Sequence, residues 1–265
     1  MGGGAPFCIL IAVHDFLDLP SPLAFAHRGG AAHHPENSWR AFEHAIALGY
    51  SYLETDVHAT ADGVLVAFHD RTLDRVTDRA GRIAELPISE VSAARICGTE
   101  PIPLLEDLLG AWPGARFNID VKDEPAIRPL AEVLRRTAAW DRVCITSFSG
   151  SRLGAVRRAL PRPVCMATSP LTVAALRLCA PGRALASWLH RMSVRCTQIP
   201  ISVATESYLR RAHAAGLQVH VWTVNDRKIM TDLLDLGVDG IMTDETVALR
   251  DVLAARGQWH PRPAG

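Results

Sequence analysis

Short apolar runs rich in β-branched residues alternate along the chain with longer segments of amphipathic pattern. Eight runs have the length and composition of buried strands: 23–26, 52–57, 117–121, 143–148, 164–168, 197–200, 219–224 and 240–243. Six intervening segments repeat apolar residues at i, i+3, i+4 and i+7, as helices packed on one face do: 38–48, 127–138, 150–160, 205–215, 226–236 and 246–256. Strands that alternate with helices in this way predict an α/β fold, a closed parallel (β/α)8 TIM barrel.

One long polar interval, 70–103, breaks the alternation. A connection of that length predicts a small insertion after the second strand, beside the mouth of the barrel. Ser89 is expected to cap a short helix within it, over 89–95. Residues 64–69 follow the turn sequence Ala61-Asp62-Gly63, which predicts a hairpin that folds back onto the second strand.

The two ends of the chain are rich in glycine and proline, and we expect them to be loosely attached. The domain organisation is therefore an N-terminal extension (1–21), a barrel domain (22–256) and a C-terminal tail (257–265). The apolar run 7–13 has no basic segment before it and is too short to span a bilayer, so neither a secretion signal nor an integral membrane segment is predicted.

Composition and charge narrow the possible partners. The chain has 265 residues, of which 48% are hydrophobic, and its 28 lysines and arginines balance 28 aspartates and glutamates. A chain without net charge has no overall attraction to nucleic acid or to an anionic membrane, so any anion site must be local. The sequence carries no indication of the oligomeric state.

The six cysteines are spread along the chain and show no CxxC spacing: Cys8, Cys97, Cys144, Cys165, Cys179 and Cys196. Several fall inside apolar runs. We interpret them as reduced, buried thiols of a cytoplasmic protein.

The first strand ends in His27-Arg28, followed by Gly29-Gly30 and Pro35-Glu36-Asn37. Enzymes built on parallel sheets place their chemistry at such strand ends. A histidine exchanges protons near neutral pH, and an arginine offers a planar set of donors to a phosphate or carboxylate. The pair predicts acid/base chemistry at an anion, and the alternative is a solvated loop without function.

Acidic residues end the second and third predicted strands. Glu54 and Asp56 share one face because side chains alternate along a strand, and Asp120 shares a face with Lys122 on the next strand. Paired carboxylates need a cation, a basic side chain or a proton, and ligands that are all oxygen suit Mg²⁺ or Ca²⁺. The alternatives are solvent-facing carboxylates and a plain Asp120–Lys122 ion pair at the barrel rim.

A second histidine, His69, lies near the same mouth if the hairpin forms, and two histidines across an anion suit acid/base catalysis at phosphorus. Trp222 ends the seventh strand and is as compatible with core packing as with ligand contact. For Thr243 and Asp244, capping of the last helix is the favoured interpretation. The remaining histidines, including His58, are assigned surface or structural roles.

Taken in order, these segments closely resemble the glycerophosphodiester phosphodiesterase family over roughly 22–255. The matching segments are His27-Arg28-Gly29, Pro35-Glu36-Asn37, Glu54-Thr55-Asp56-Val57, Asp62-Gly63, His69-Asp70, 118–122, Trp222-Thr223-Val224-Asn225 and 240–244. The resemblance implies a metal-dependent phosphodiesterase that hydrolyses glycerophosphodiesters to glycerol 3-phosphate and an alcohol. It also implies two steps, in which a neighbouring glycerol hydroxyl attacks phosphorus and water then opens the cyclic phosphate.

Carried over residue by residue, the resemblance assigns nine site residues. Those that hold one divalent cation are Glu54, Asp56 and Asp120. The acid/base pair is His27 and His69, and the residues that bind or orient the substrate are Arg28, Lys122, Glu36 and Trp222.

The third metal position departs from the family, which usually has glutamate where this chain has Asp120. The shorter side chain loses roughly 1.5 Å of reach. Three consequences for this chain are open: a tighter metal site, weaker metal binding, or a family member without catalytic activity.

Two other functions stay open: a lysophospholipase D-like activity and a non-catalytic barrel that binds a phosphorylated ligand. The first requires an apolar lip, for which Trp188, Leu189 and Met192 are candidates unless they pack against the barrel.

Overall fold

The computed structural model describes residues 15–262 and shows a parallel barrel with surrounding helices. Its strands are β1 (Leu23–Ala26), β2 (Tyr52–Ala59), β3 (Leu65–Ala67), β4 (Arg95–Ile96), β5 (Glu100–Pro101), β6 (Arg116–Val121), β7 (Val143–Thr146), β8 (Cys165–Ala167), β9 (Val194–Pro200), β10 (Gln218–Trp222) and β11 (Gly240–Thr243). Eight of them, β1, β2 and β6 to β11, pair in parallel, and β1 pairs with both β2 and β11 to close the ring. The predicted TIM barrel is confirmed.

The helices that follow the barrel strands cover the outside of the ring. All the α-helices of the described chain, including one in the insertion after β2, are α1 (Trp39–Ala47), α2 (Ile88–Val91), α3 (Leu105–Ala111), α4 (Ile127–Arg136), α5 (Gly150–Ala159), α6 (Pro170–Leu178), α7 (Arg183–Arg191), α8 (Glu206–Ala214), α9 (Arg227–Leu236) and α10 (Thr246–Ala255). Five of them begin after a residue whose side chain accepts a backbone N–H of the first turn: Ser38, Ser149, Ser169, Thr205 and Asp226. The six helices predicted from periodicity are all present, whereas α3, α6 and α7 were not among them.

The insertion after β2 carries a small apolar core of its own. β3 runs antiparallel to β2, with Val57 opposite Ala67, so the predicted hairpin is confirmed. The predicted helix capped by Ser89 is wrong, because the helix is Ile88–Val91 and Ser89 lies inside it. The Asp62 carboxylate, far away in sequence, accepts the Ile88 N–H at 3.0 Å and takes the place of a local cap.

Both terminal segments, as far as they are described, pack onto the barrel. Phe16 is fully buried, and its carbonyl oxygen accepts the Tyr52 hydroxyl at 2.6 Å. At the other end the Arg262 N–H donates to the Gly49 carbonyl at 2.8 Å. Loose attachment is therefore wrong for 15–21 and 257–262, because each segment brings apolar side chains that cover the barrel end. The run 7–13, Cys8 and 263–265 lie outside the described residues.

The predicted burial of the cysteines is right for three and wrong for two. Cys144, Cys165 and Cys196 are buried in strands, whereas Cys97 and Cys179 are exposed. None of the helices in 15–262 has the length and apolar character needed to cross a membrane.

Candidate active site

A cavity of about 470 Å³ opens at the carboxyl ends of the barrel strands. Eight of the nine site residues predicted from the sequence line it: His27, Arg28, Glu54, Asp56, His69, Asp120, Lys122 and Trp222. The ninth, Glu36, does not line the cavity. Its Oε1 instead accepts a hydrogen bond from Arg28 Nη1 at 3.0 Å. The structure thus brings the predicted residues to one mouth, as parallel strand ends require.

The loop after β1 presents His27 and Arg28 to this cavity through an unusual backbone. Arg28 has φ 50° and Gly29 has φ 84°. A Cβ on Gly29 would lie 2.8 Å from the Cβ of Ala41 in α1. Only glycine therefore lets the loop pass this close to α1 without shifting the helix. The turn lets the Arg28 N–H donate to Glu54 Oε2 at 2.9 Å.

His27 is held on one side by an aspartate from the last strand of the barrel. Its Nδ1 lies 2.7 Å from Asp244 Oδ1, and its Nε2 lies 3.9 Å from Glu54 Oε2. Burial by itself lowers the pKa of His27, but Glu54 and Asp244 outweigh burial and raise it above its usual value. His27 is therefore an imidazole biased toward its protonated form.

His69 enters the cavity from the hairpin that follows β2. The Phe68 N–H donates to the Asp56 carbonyl at 2.9 Å and so fixes the backbone beside His69. The His69 Nδ1 lies 2.7 Å from Asp70 Oδ1, and the Nε2 of His58 lies 3.2 Å from the His69 carbonyl oxygen. Each of the two cavity histidines thus has an aspartate on Nδ1, which leaves Nε2 for a reactant.

The carboxylates of β2 and β6 meet at the floor of the cavity. Asp56 stands opposite Asp120 in the parallel pairing of the two strands. Lys122 Nζ lies 2.7 Å from Asp56 Oδ1 and 2.6 Å from Asp120 Oδ2, so the ammonium joins them. Burial favours a higher pKa for Asp56, but Lys122 and Arg28 bring it below the usual value. For Asp120, burial prevails and the pKa is raised despite Lys122.

Among the three carboxylates of the floor, Glu54 is the one that does not pair with Lys122. Burial, followed by repulsion from Asp56, raises the pKa of Glu54 to about 7. His27 and the Arg28 N–H oppose this rise without cancelling it. The floor thus holds three buried carboxylates against one ammonium and one guanidinium, and a divalent cation would relieve the repulsion among them.

The donor set suits a hard cation bound by oxygen. Oδ1 of Asp120 is buried and lacks a hydrogen-bond partner, which leaves one lone-pair oxygen for an ion. The three carboxylates are nevertheless spread, because within 15–262 no three imidazole or carboxylate side chains bring ligand atoms within 4.8 Å of one another. Lys122 Nζ occupies the space between two of them, so a bound cation would require Lys122 to turn away.

A second layer of charge holds Arg28 in place. Arg28 Nε lies 3.3 Å from Asp56 Oδ2, and Glu36 contacts both Arg28 and Arg75. Burial tends to raise the pKa of Glu36, but its hydrogen bond with Arg75 and the charge of Arg28 lower it overall. Arg75 also donates to Asp70, and this bond, followed by that with His69, lowers the pKa of Asp70 to about 2. Arg75 therefore connects Glu36, which holds Arg28, with Asp70, which holds His69.

The wall opposite the carboxylates is largely apolar. Trp222 packs edge-on against Phe148 with ring centroids 5.5 Å apart. Four residues of α6 continue this wall: Pro170, Val173, Ala174 and Arg177. The lip candidates proposed from the sequence, Trp188, Leu189 and Met192, do not line the cavity, and Leu189 is buried against the barrel.

Sequence reasoning missed several supporting residues. The predicted capping of α10 by Asp244 is wrong, since the Asp244 carboxylate pairs with His27 and the backbone N–H of Glu245 donates to the Thr243 hydroxyl instead. The general prediction of a surface or structural role for His58 does not reveal its place beside the cavity, where Nε2 holds the His69 carbonyl and Nδ1 lies 2.7 Å from Asp123 Oδ2. One feature of the sequence does point to Asp244: it is an acidic residue at the carboxyl end of the last strand. The carboxyl ends of all barrel strands face the same mouth, so such a residue is expected near the cavity.

Comparisons with known proteins show which family the sequence matches. The model of the glycerophosphoryl diester phosphodiesterase family matches residues 27–248. The chain is 40% identical over 264 residues to the "probable glycerophosphodiester phosphodiesterase 2" of Mycobacterium tuberculosis, covering 97% of this chain and 98% of that protein. It is 28% identical to human lysophospholipase D GDPD1, covering 86% and 85%.

A solved structure supports the fold. The phosphodiesterase of Oleispira antarctica, described in complex with the product sn-glycerol-3-phosphate, superposes with a TM-score of 0.76 at 24% identity, covering 88% of this chain and 97% of that one.

Proposed function

Since the chain belongs to the glycerophosphoryl diester phosphodiesterase family and is an enzyme of that class, we propose that its cavity hydrolyses glycerophosphodiesters by acid/base catalysis between His27 and His69. The observation that carries this proposal is the matched pair of imidazoles. Each has an aspartate 2.7 Å from Nδ1, and both line one cavity that also contains Arg28 and Lys122.

Cleavage of a phosphodiester needs a proton removed from the attacking hydroxyl and a proton given to the departing alcohol oxygen. His27, whose pKa is raised, is the proton donor at the start of the reaction. His69 is the acceptor. Asp244 and Asp70 hold the two rings in one tautomer and stabilise each imidazolium as it forms, and they act as positioning residues.

Arg28 and Lys122 are proposed to bind the phosphoryl oxygens, where negative charge increases in the transition state. Glu54, Asp56 and Asp120 are proposed to hold one divalent cation, Mg²⁺ or Ca²⁺. Such a cation supplies Lewis acidity to a phosphoryl oxygen. Lys122, which now pairs with Asp56 and Asp120, would have to exchange these contacts for the phosphate if the carboxylates held an ion.

The proposal is tested with glycerophosphocholine as substrate and glycerol 3-phosphate as the assayed product. His27→Ala and His69→Ala are each expected to lower kcat by about 10²-fold to 10⁴-fold. His260→Ala, at an exposed histidine far from the cavity in the fold, is the matched control. Circular dichroism checks that the variants are folded, and wild-type turnover by either cavity variant would contradict the assignment.

A barrel that only binds a phosphorylated ligand needs Arg28 and Lys122 but has no use for two histidines oriented by carboxylates. Binding without turnover would support that alternative. The assay above separates the two functions, because a pure binder gives no glycerol 3-phosphate with any divalent cation.

A second candidate activity is lysophospholipase D-like cleavage, favoured by the apolar side of the mouth. Phe148 lines the cavity and is 67% exposed, whereas Leu171 and Leu178 lie outside its lining, on the same helix α6 that lines it, and are each 81% exposed. These side chains could contact an acyl chain while the headgroup phosphate lies below. The human relative named lysophospholipase D is consistent with this candidate.

The two activities are separated by comparing lysophosphatidylcholine with glycerophosphocholine. Replacement of Leu171 and Leu178 by serine is expected to raise KM about tenfold or more for the lysolipid alone, because each leucine contributes ~1.5 to 3 kcal/mol when buried. Trp188→Ser removes an exposed apolar side chain from α7 and serves as the control. Equal effects on both substrates would exclude an acyl-chain contact.

A further inference from the structure

Three cysteines from consecutive strands meet inside the barrel, beneath the floor of the catalytic cavity. Cys144 lies on β7, Cys165 on β8 and Cys196 on β9, and all three are fully buried. Cys144 is paired with Cys165 in the strand register. The cluster belongs to the apolar interior of the ring and is separated from the catalytic carboxylates.

An amide pair forms the boundary between the cluster and the cavity. Asn118 and Gln198 exchange two hydrogen bonds, at 2.7 and 3.3 Å, across the interior of the barrel, and both line the cavity. Cys144 is the register partner of Asn118, and Cys196 precedes Gln198 by two residues. The three thiols therefore form the layer that lies next to the amide pair on the side away from the solvent.

The spacing of the sulfur atoms suits a shared metal ion. The three Sγ atoms all lie within 4.8 Å of one another, and those of Cys144 and Cys196 are 3.8 Å apart. A tetrahedral zinc ion with Zn–S bonds of about 2.3 Å holds any two of its sulfur ligands about 3.8 Å apart. Three converging thiols supply three of the four ligands of such an ion without a change of backbone.

A buried imidazole stands beside the cluster. His220 lies two residues after Gln218, the register partner of Cys196, and so faces the same side of the sheet. It is fully buried, its Nε2 contacts Gln218 at 3.1 Å, and its Nδ1 has no hydrogen-bond partner among the described residues. Neither ring nitrogen lies within 4.8 Å of all three sulfur atoms, so the ring would have to move toward an ion bound by them. A buried ring nitrogen without a partner is costly, and a metal ion would satisfy it.

We propose that Cys144, Cys165 and Cys196 bind one zinc ion in the interior of the barrel, with the Nδ1 of His220 as the fourth ligand. The site is structural, because three cysteines and a histidine close the coordination sphere and leave no position for substrate. It is distinct from the catalytic centre, whose ligands are oxygen atoms, and it does not depend on the proposed catalytic roles.

The ion would link four consecutive strands, β7 to β10, in the interior of the barrel. Phe16 and Phe25 close the interior near the cluster, since both belong to the same buried apolar group as the three cysteines. A site enclosed in this way takes up its metal while the chain folds and then exchanges it slowly. Zinc binding there would add directly to the free energy of unfolding.

The first test uses the wild-type chain produced in cobalt-supplemented medium and needs no variant. Cobalt bound by thiolates gives intense charge-transfer absorption in the near ultraviolet, whereas cobalt bound by the catalytic carboxylates does not. We expect the thiolate bands together with the visible bands of tetrahedral cobalt. A spectrum of oxygen-bound cobalt alone would overturn the proposal.

The second test measures zinc by elemental analysis after production in zinc-supplemented medium and dialysis against a chelator. We expect about one zinc per chain in the wild type, and a loss of at least fivefold in Cys196→Ala and Cys165→Ala. Cys179→Ala removes an exposed cysteine and is the matched control. Zinc that is absent from the wild type, or retained in both cluster variants, would show that the thiols are only packed side chains.

If the cluster variants fold poorly, the thermal stability of the wild type still distinguishes a bound ion from cysteines that are only packed together. The wild type produced with zinc should have a higher Tm than the same chain refolded with a chelator, and the difference should vanish in Cys196→Ala and persist in Cys179→Ala. Equal Tm values for the two wild-type preparations would contradict a structural ion.

Discussion

The imidazole of His27 and the carboxylate of Asp244 lie 2.7 Å apart although 217 positions separate them in the sequence. The contact joins the end of the first barrel strand to the end of the last, which are neighbours because the ring closes there. Asp244 also accepts a hydrogen bond from Asn225 at 2.9 Å, so its orientation is fixed independently of His27. Closure of the barrel therefore assembles the proposed proton donor.

Asp244→Asn is expected to lower kcat by about tenfold to a hundredfold and to lower the pKa of His27. Burial lowers the pKa of His27, and Asp244 is one of the groups that raise it. Without the Asp244 charge, the lowering by burial is less fully compensated. As the proton donor must be protonated, activity would fall at a lower pH on the alkaline side of the profile. The measurement is kcat against pH.

Asp251→Asn is the control for this change, because Asp251 is exposed and pairs with Arg227 and Arg250 on the outer surface. An unchanged alkaline limb in Asp244→Asn would show that Asp244 does not tune His27.

Removal of divalent cations is expected to abolish turnover, and adding back Mg²⁺ or Ca²⁺ to restore it. Asp120→Asn should lower activity at least about a hundredfold, because it removes one of the three charges proposed to hold the ion. Asp120→Glu should retain activity but change the relative response to Mg²⁺ and Ca²⁺, since the longer side chain alters the size of the site. Titration of activity with each cation measures both effects, and full activity in EDTA would exclude the ion.

Glu36→Gln should raise KM about tenfold with little effect on kcat, because Glu36 holds Arg28 without lining the cavity. The neutral amide weakens the contacts with both Arg28 and Arg75. Steady-state kinetics separate the two parameters. Glu85→Gln, on an exposed part of the insertion, is the control, and a fall in kcat at constant KM would indicate a role in catalysis itself.

Phe16→Ala should destabilise the fold by about 3 to 5 kcal/mol while leaving kcat unchanged below the unfolding transition. Phe16 is fully buried and lies edge-on against Tyr52 with centroids 5.2 Å apart, at the end of the barrel away from the cavity. Urea denaturation measures the change. A destabilisation below about 1 kcal/mol would mean that 15–21 is as loosely attached as its composition suggested.

The barrel could be predicted because its strands are fully buried apolar runs separated by helical periodicity, and the bounds of β1 and β11 agree with those runs residue for residue. Eight of nine site residues converge because parallel strand ends share one mouth. The period of two along β2 was sufficient to place Glu54 and Asp56 together.

The remaining features depend on side-chain pairing across long sequence distances, which periodicity does not encode. Asp244 has the position and residue type of a helix cap, and only the closed ring shows that it meets His27. The three clustered cysteines are each unremarkable in sequence and become neighbours only through strand register. Arg75 lies in the insertion, whose path over the mouth has no repeating pattern.

If His27 protonates the departing alcohol, the effect of removing its imidazole must depend on how basic the leaving group is. The measurement compares the His27→Ala and His69→Ala variants on glycerophosphocholine and on a glycerophosphodiester with a nitrophenyl leaving group. A nitrophenolate needs no proton, so His27→Ala should recover most of its activity on this substrate, at least about a hundredfold, while His69→Ala should stay impaired. Equal impairment of His27→Ala on both substrates would show that His27 does not protonate the leaving group.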